Sequence, residues 1–245
     1  MHIKLETIRL QKIINIAMMV KSSPILKEVN AKFTSKGLAI TDISVPGVAV
    51  IAVFNKDYFI DYEVPEDETI VLNEALFNIL KNSFRAEHIT LETDKENLIL
   101  RTDKETWENP LQAVTETEEY SANSTKYGLL PKKLPLEALV VKGSLAIEEL
   151  QNLPDTSDYI FETKDKALKV LAENIGKYKK NLKYDGEVGD VTAKVDADYL
   201  KASLNNFVGT VNLLIQKNES GESDVVLVTY ADKSMMVTYV LSTKD

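Results

Sequence analysis

Two stretches of this 245-residue chain carry the same order of elements on either side of a polar break, and this duplication limits the possible folds more than any single motif does. Each half reads as strand, helix, several strands, helix, several strands. In the first half, Glu28 to Thr34, Gly37 to Ile43 and Val48 to Phe54 are β-prone runs with partial alternation. Ser35-Lys36-Gly37 and Pro46-Gly47 separate them, and both are turn signals. Thr69 to Leu72, Ile89 to Thr93, Leu98 to Thr102 and Pro110 to Val114 continue the series, with Asp94-Lys95-Glu96-Asn97 as a polar hairpin turn. Two segments depart from it. Ile8 to Lys21 sets Leu10, Ile13, Ile14, Ala17 and Met18 at helical spacing. Asn73 can cap a second helix reaching Arg85, whose core side is Leu76, Phe77, Ile79, Leu80 and Phe84.

The stretch from Glu116 to Leu134 is polar and aperiodic and is followed by Pro135, so it reads as a linker. It separates a domain over 1–115 from one over 137–245, the connection itself being 116–136. A short apolar island, Gly128-Leu129-Leu130-Pro131, interrupts it. The pattern then restarts with a strand from Ala138 to Lys142 and a helix from Ser144 to Leu153, with Ser144 as the cap. Strands follow at Tyr159 to Thr163, Ala167 to Ala172, Asn181 to Tyr184 and Asp190 to Val195. A helix from Asp198 to Phe207 precedes three last strands: Val211 to Lys217, Val225 to Tyr230 and Met235 to Leu241. The predicted class is α+β: two similar domains of antiparallel sheets, each with two short helices.

Composition narrows the chemistry. With 44% hydrophobic and 27% charged residues, the chain has the make-up of a folded protein with a sizeable core. It has no cysteine, which removes disulfides, thiolate nucleophiles and sulfur-ligated metals. Met1-His2-Ile3-Lys4 lacks the apolar stretch of a signal peptide. The longest apolar run, Val48 to Phe54, is far too short to span a membrane. A soluble, intracellular protein is expected. The two histidines, His2 and His88, have no metal-ligand spacing, and His88 reads as a surface residue ahead of a strand. Carboxylates gather in turns, at Glu66-Asp67-Glu68, Glu116 to Glu119, Asp155 and Asp158. No nucleophile elbow, P-loop or dinucleotide fingerprint is present. The expectation is a protein without catalysis, cofactor or metal.

A net charge of −9 argues against phosphate binding unless the basic residues are segregated. Arg9, Lys12, Asn15 and Lys21 lie on or beside the first helix. Asn78, Lys81 and Arg85 share the polar face of the second, and Lys201 and Asn205 are four apart on the last. These are either ordinary solvent faces or one helical surface that meets phosphate. The third helix, with Glu148, Glu149, Gln151 and Asn152, is acidic or neutral.

Four segments, in order, carry a family resemblance. They are Gly37-Leu38-Ala39-Ile40-Thr41-Asp42-Ile43 continuing through Val48-Ala49-Val50; Ile79-Leu80-Lys81 with Ile89-Thr90-Leu91 behind it; Gly128-Leu129-Leu130-Pro131 before Val140-Val141-Lys142; and Tyr239-Val240-Leu241-Ser242-Thr243-Lys244. The sequence resembles a divergent sliding DNA clamp of the archaeal and eukaryotic type, the proliferating cell nuclear antigen family. That resemblance implies a ring-forming fold and a homotrimer or heterotrimer that encircles duplex DNA without reading its sequence. Strands would form the outer wall, and helices would face the DNA. Such a processivity factor performs no chemistry. It tethers DNA polymerase, ligase, flap nuclease and clamp loader through short peptide motifs, in the cytoplasm of an archaeon or the nucleus of a eukaryote. Arg9, Lys12, Asn15, Lys21, Asn78, Lys81, Arg85 and Lys201 would face DNA.

The same resemblance implies a partner-peptide pocket. Ile43, Val48 and Val50 would be its floor, Leu129, Leu130 and Pro131 the loop side, and Val226 and Leu241 its closure. Val226 stands where the family usually has proline, and Ser242-Thr243 where it has an Ala-Pro pair. Subunits are expected to pair through the strand near Trp107 to Val114 and one near Gly176 to Tyr184, because long open sheet edges must be covered or paired. Two other readings compete: a peptide-binding scaffold with duplicated β-rich domains and no DNA role, and a hydrolase built on paired carboxylates.

Overall fold

The computed structural model describes residues 1–42, 47–83, 85–114, 139–164, 166–172, 178–217 and 223–244. Among these, residues within 1–42, 50–119 and 232–237 form one compact unit, and those within 43–49, 120–231 and 238–245 form a second.

The first half contains, in order, β1 (His2–Glu6), α1 (Thr7–Ala17), β2 (Glu28–Thr34), β3 (Gly37–Asp42), β4 (Val48–Asn55), a 3-10 turn (Lys56–Tyr58), β5 (Asp61–Glu63), β6 (Glu68–Asn73), α2 (Glu74–Ser83), β7 (His88–Thr93), β8 (Asn97–Arg101) and β9 (Thr106–Pro110). Its strands hydrogen bond in the orders β5-β1-β7-β8-β9 and β4-β3-β2-β6. The second half runs β10 (Leu139–Ala146), α3 (Glu148–Gln151), β11 (Asp158–Lys164), β12 (Ala167–Ala172), β13 (Tyr178–Asn181), β14 (Tyr184–Val188), β15 (Thr192–Asp196), α4 (Ala197–Leu204), β16 (Thr210–Lys217), β17 (Ser223–Ala231) and β18 (Met235–Ser242). Its orders are β14-β10-β16-β17-β18 and β13-β12-β11-β15, which repeat the first half strand for strand. The class is α+β with antiparallel sheets, as expected.

Local chemistry explains most of these elements. In β1, Ile3 and Leu5 are fully buried while Lys4 between them is exposed, the period of a strand with one wet face. In α1, Leu10, Ile13, Ile14 and Ala17 are buried on one stripe, as their spacing predicts. The Asn73 side chain accepts the Leu76 N–H at 3.0 Å and so caps α2 as anticipated. Asp94 Oδ1 accepts from the Glu96 and Asn97 N–H groups, both at 2.7 Å, which builds the expected hairpin turn. Gly37 opens β3 at φ +143°, and a Cβ there would sit 2.1 Å from the Phe54 carbonyl oxygen, so no other residue fits.

Several expectations are corrected. The helix expected from Ser144 to Leu153 is a single turn, and β10 runs through Ser144 to Ala146. Ser144 is opposite both Asp185 in β14 and Asn212 in β16, and these two ladders outweigh its local capping tendency. The strand expected at Pro110 to Val114 lies at Thr106–Pro110. Thr102 Oγ1 accepts from the Lys104 and Glu105 N–H groups, and this tight turn lets pairing with β8 begin at Thr106. Asn181 to Tyr184 is not one strand but the corner between β13 and β14. The first helix stops at Ala17; Met18 and Met19 are buried beyond it, and Met19 takes φ 49°. β1 and β5, which form one end of a sheet, were not among the runs singled out from sequence.

Candidate DNA-facing and partner-binding residues

The residues of the first unit that the sequence singled out for DNA do not all fall together. Arg9 sits near the start of α1, where its Nε donates to Glu6 Oε2 at 3.1 Å and its Nη1 to the Tyr58 carbonyl oxygen at 2.6 Å. Its guanidinium also lies 5.4 Å from the Tyr58 ring centre. Lys12, one turn on, is half-buried. Desolvation lowers its pKa, and the nearby Asp232 carboxylate offsets part of that effect. Both cations are therefore engaged by groups of their own unit.

Asn15, Lys21 and Lys81 are brought together. They line a cavity of about 320 Å³ between α1 and α2, whose apolar wall comes from Ile14, Phe77 and Leu80. The Lys81 ammonium lies 5.7 Å from the Phe77 ring centre. Asn78 is exposed on α2. Arg85 lines a different groove, about 890 Å³, together with Lys4, His88, Arg101 and Lys104 and with the acids Glu87, Asp103 and Glu105.

In the second unit, Lys201 donates from Nζ to Asp155 Oδ1 at 2.5 Å. Burial opposes its charge, but hydrogen bonds to Asp155 and Tyr159 win, and its pKa is raised. The acidic character expected of the third helix is partly cancelled. Glu149 pairs with Lys180 at 2.9 Å, and the hydrogen bond from Lys180, outweighing burial, holds the Glu149 carboxyl below its usual range. Glu148 stays exposed.

Of the pocket residues, Ile43, Leu129, Leu130 and Pro131 lie outside the described residues. Val48, Val50, Val226 and Leu241 are buried among core side chains. Among the described residues no group of three His, Asp or Glu side chains stands close enough to hold a metal ion. No helix there is long and apolar enough to cross a membrane.

Sequence reasoning missed one matched pair of side chains. Gln11 Nε2 in α1 donates to the Leu80 carbonyl of α2 at 3.1 Å, and Gln151 Nε2 in α3 donates to the Leu204 carbonyl of α4 at 3.1 Å. Each glutamine ties its helix to a carbonyl near the far end of the other helix in its unit, where backbone acceptors lack intrahelical donors. The strand junctions match too: Thr7 N–H donates to Glu87 O and Ile147 N–H to Gly209 O, ahead of β7 and β16. Only the duplicated element order could have pointed to these equivalences.

No protein-family model matches the chain, and no curated protein matches it in sequence. Solved structures do match. The structure of the C-terminal region of FEN-1 bound to A. fulgidus PCNA aligns with TM-score 0.73 and 18% identity over 100% of this chain and 98% of that one. The PCNA2–PCNA3 complex from Sulfolobus tokodaii aligns with TM-score 0.73 and 16% identity over 100% and 99%. PCNA from Thermococcus kodakaraensis aligns with TM-score 0.71 and 16% identity, covering 99% of each chain. From end to end, the chain has the fold of the PCNA sliding clamps.

Proposed function

We propose that this protein is a subunit of a trimeric sliding clamp, a non-enzymatic processivity factor that encircles duplex DNA and tethers replication and repair enzymes. The observation that carries this reading is the whole-length match to PCNA structures despite identities of only 16–18%. A topology repeated strand for strand over the full chain is difficult to reach by other routes. The sheet edges agree with it. β9 and β13 each end a sheet among the described residues, and a ring built by strand pairing gives both a partner.

The net charge of −9 is compatible with DNA inside a ring, because a topological link needs only local, weak phosphate attraction. Asn15, Lys21 and Lys81 around one cavity are the best-placed phosphate contacts; Asn78 is exposed on the same helix as Lys81, and Arg85 lines a separate groove. Arg9, Lys12 and Lys201 contribute positive potential while holding their own neighbours. One similar structure contains the C-terminal region of FEN-1 bound to PCNA, and another contains two different PCNA chains in one complex. By analogy this chain takes client enzymes through short peptides. It works inside the cell, where DNA is copied.

Threading tests the proposal. Linear duplex DNA with open ends should retain the protein in a way that is lost when both ends are blocked beforehand by biotin–streptavidin. Blocking the ends after addition should trap the protein through a high-salt wash. Equal retention on open and pre-blocked DNA would rule out encirclement.

A further inference from the structure

Strand β14 ends the order β14-β10-β16-β17-β18, and among the described residues nothing pairs with its other side. That free side has a definite phase. Ile147 N–H donates to Gly209 O at 2.9 Å, which makes the two a hydrogen-bonded pair at the end of the β10–β16 ladder. Bonding directions alternate along a strand, so Leu145 and Gly143 turn their backbone groups to β16, and Ser144 and Lys142 turn theirs to β14. The bond from Gly189 N–H to Val140 O, at 2.6 Å, has the same phase. Ser144 and Lys142 stand opposite Asp185 and Glu187. The backbone groups of Asp185 and Glu187 are thus used by β10, while those of Gly186 and Val188 point outward.

The side chains on this edge are acidic. Asp185 and Glu187 are two apart, so they share one face, and both are exposed. The opposite face turns inward: Tyr184 and Val188 are half-buried, and the Tyr184 hydroxyl donates to Leu213 O at 2.8 Å. Lys142 stands opposite Glu187 without forming an ion pair among the described residues, and Lys183, just before the strand, acts on Glu149. Proline, lysine and a bulge, which commonly blunt an edge, are all missing from β14 and its ladder. The arrangement recurs in the first half. The bond from Thr7 N–H to Glu87 O matches that from Ile147 N–H to Gly209 O, so Lys4 matches Ser144 and His2 matches Lys142. Asp61 and Glu63 of β5, opposite Lys4 and His2, therefore occupy the places of Asp185 and Glu187. β5 has three residues and offers one outward position, Tyr62, so β14 is the longer platform.

We propose that β14 is a docking edge: a basic, extended segment of a partner protein adds to it as a further antiparallel strand, with lysine or arginine at every second residue. The chemistry of the occupant follows from the edge. Gly186 and Val188 supply main-chain donors and acceptors, which hold an extended chain. Asp185 and Glu187 supply the selection. They fall in non-hydrogen-bonded pairs of the new ladder, with Cα atoms about 4.5 Å apart, where opposing side chains stand closest. A cation is favoured there and an acid disfavoured. Two copies of β14 paired with each other would bring carboxylates together, so a second copy of this chain is the wrong occupant. The proposal concerns one edge of one half and stands whether or not the chain forms a ring.

The probe is a capped, fluorescein-labelled peptide of alternating lysine and valine, titrated with the whole chain by fluorescence anisotropy. In the proposed ladder its valines stand opposite Gly186 and Val188 and bond to them, so a peptide N-methylated at the valines should lose binding. One N-methylated at the lysines, whose N–H groups point away from β14, should keep it. Asp185→Asn/Glu187→Gln should weaken binding of the parent peptide by about threefold to tenfold, as expected for two exposed charge pairs. Amide exchange at Gly186 and Val188 should slow when the peptide binds, and exchange at Asp185 and Glu187, already bonded to β10, should not change. Equal binding of the two methylated peptides would reduce the contact to charge attraction and overturn strand addition. A parent peptide that does not bind would leave the two carboxylates as guards of a solvated edge and overturn the proposal outright.

Discussion

Strands β4 and β18 and their topological equivalents β13 and β9 have opposite chemistry. β4 and β18 read Val-Ala-Val-Ile-Ala-Val-Phe-Asn and Met-Met-Val-Thr-Tyr-Val-Leu-Ser, with Val50, Phe54, Val237 and Tyr239 fully buried. β13 and β9 read Tyr-Lys-Lys-Asn and Thr-Trp-Glu-Asn-Pro, with Lys179 and Glu108 exposed. The difference follows from burial. Most side chains of β4 and β18 are removed from water, so apolar residues stabilise them without hazard. β9 and β13 end their sheets among the described residues, and charge and proline guard such edges against unspecific pairing.

Exchanging residues between the two edges should break this contrast most visibly. Tyr239→Asn puts the β9 residue into the buried edge, and it should cost about 3–5 kcal/mol of stability through the lost ring and an unpaired amide. Asn109→Tyr at the equivalent place in β9 should shift stability by roughly 0.5 kcal/mol or less. Urea unfolding of both variants gives the comparison, and similar losses would mean that the edges do not differ in burial.

The helix caps should separate the halves next. Asp196 Oδ1 accepts from the Asp198 N–H at 2.8 Å and the Tyr199 N–H at 3.2 Å, and its other oxygen accepts from Lys244 Nζ at 2.9 Å. Asn73 caps α2 through a single acceptor contact, from the Leu76 N–H at 3.0 Å. Asn73→Ala should cost about 1 kcal/mol, and Asp196→Ala about 2 kcal/mol because a charged contact is lost with the cap. Asp196→Ser, which keeps the cap and loses only the charged contact, should cost less than Asp196→Ala. A wild-type denaturation midpoint for Asp196→Ala would refute this account of α4.

Charge at the outer edge should act more weakly. On the reading that β9 pairs with another copy, Glu108→Lys should weaken self-association by on the order of 1 kcal/mol per interface, about fivefold in Kd. Sedimentation equilibrium reads it, and an unchanged Kd would take Glu108 out of the interface.

The smallest effect concerns Lys244, which donates to Asp158 at 2.6 Å and Asp196 at 2.9 Å while its backbone bridges Lys194. The Asp158 hydrogen bond, then the Asp196 one, raises its pKa above 10.5. Burial works against the charge of Asp158, but bonds from Lys244 and Ser157 prevail and depress its pKa below 3.8. A raised lysine contributes stability that is present below 10.5 and lost as pH rises through its folded pKa. A depressed aspartate contributes stability that is present above 3.8 and lost as pH falls through its folded pKa. Both contributions are present at neutral pH. Lys244→Met should cost less than about 1 kcal/mol there and flatten both flanks of the stability–pH curve. Flanks identical to wild type would show that the contact is energetically idle.

Much of the fold was legible because its signals are local. Asn73 as a cap, the Asp94 turn and the apolar stripe of α1 each depend on residues within a few positions, and all are found where the sequence puts them. Ser144 misled because a strand flanked on both sides overrides a capping residue, and its partners Asp185 and Asn212 are distant in the chain. The candidate site shows the same limit. Residue type alone suggested Arg9, Lys12 and Lys201 as phosphate contacts, while Tyr58, Asp232 and Asp155, which engage them, lie far along the sequence.

By itself, then, the sequence determined the α+β class, the duplicated order of elements and the absence of cysteine chemistry. These follow from side-chain periodicity, turn propensities and composition, none of which needs distant contacts. Tertiary structure decided which strands end a sheet, which cations answer to an internal partner, and the register of each strand pair. Those are properties of pairings between remote segments, and a strand's hydrogen-bonding phase is set by its neighbour across the ladder rather than by its own residues.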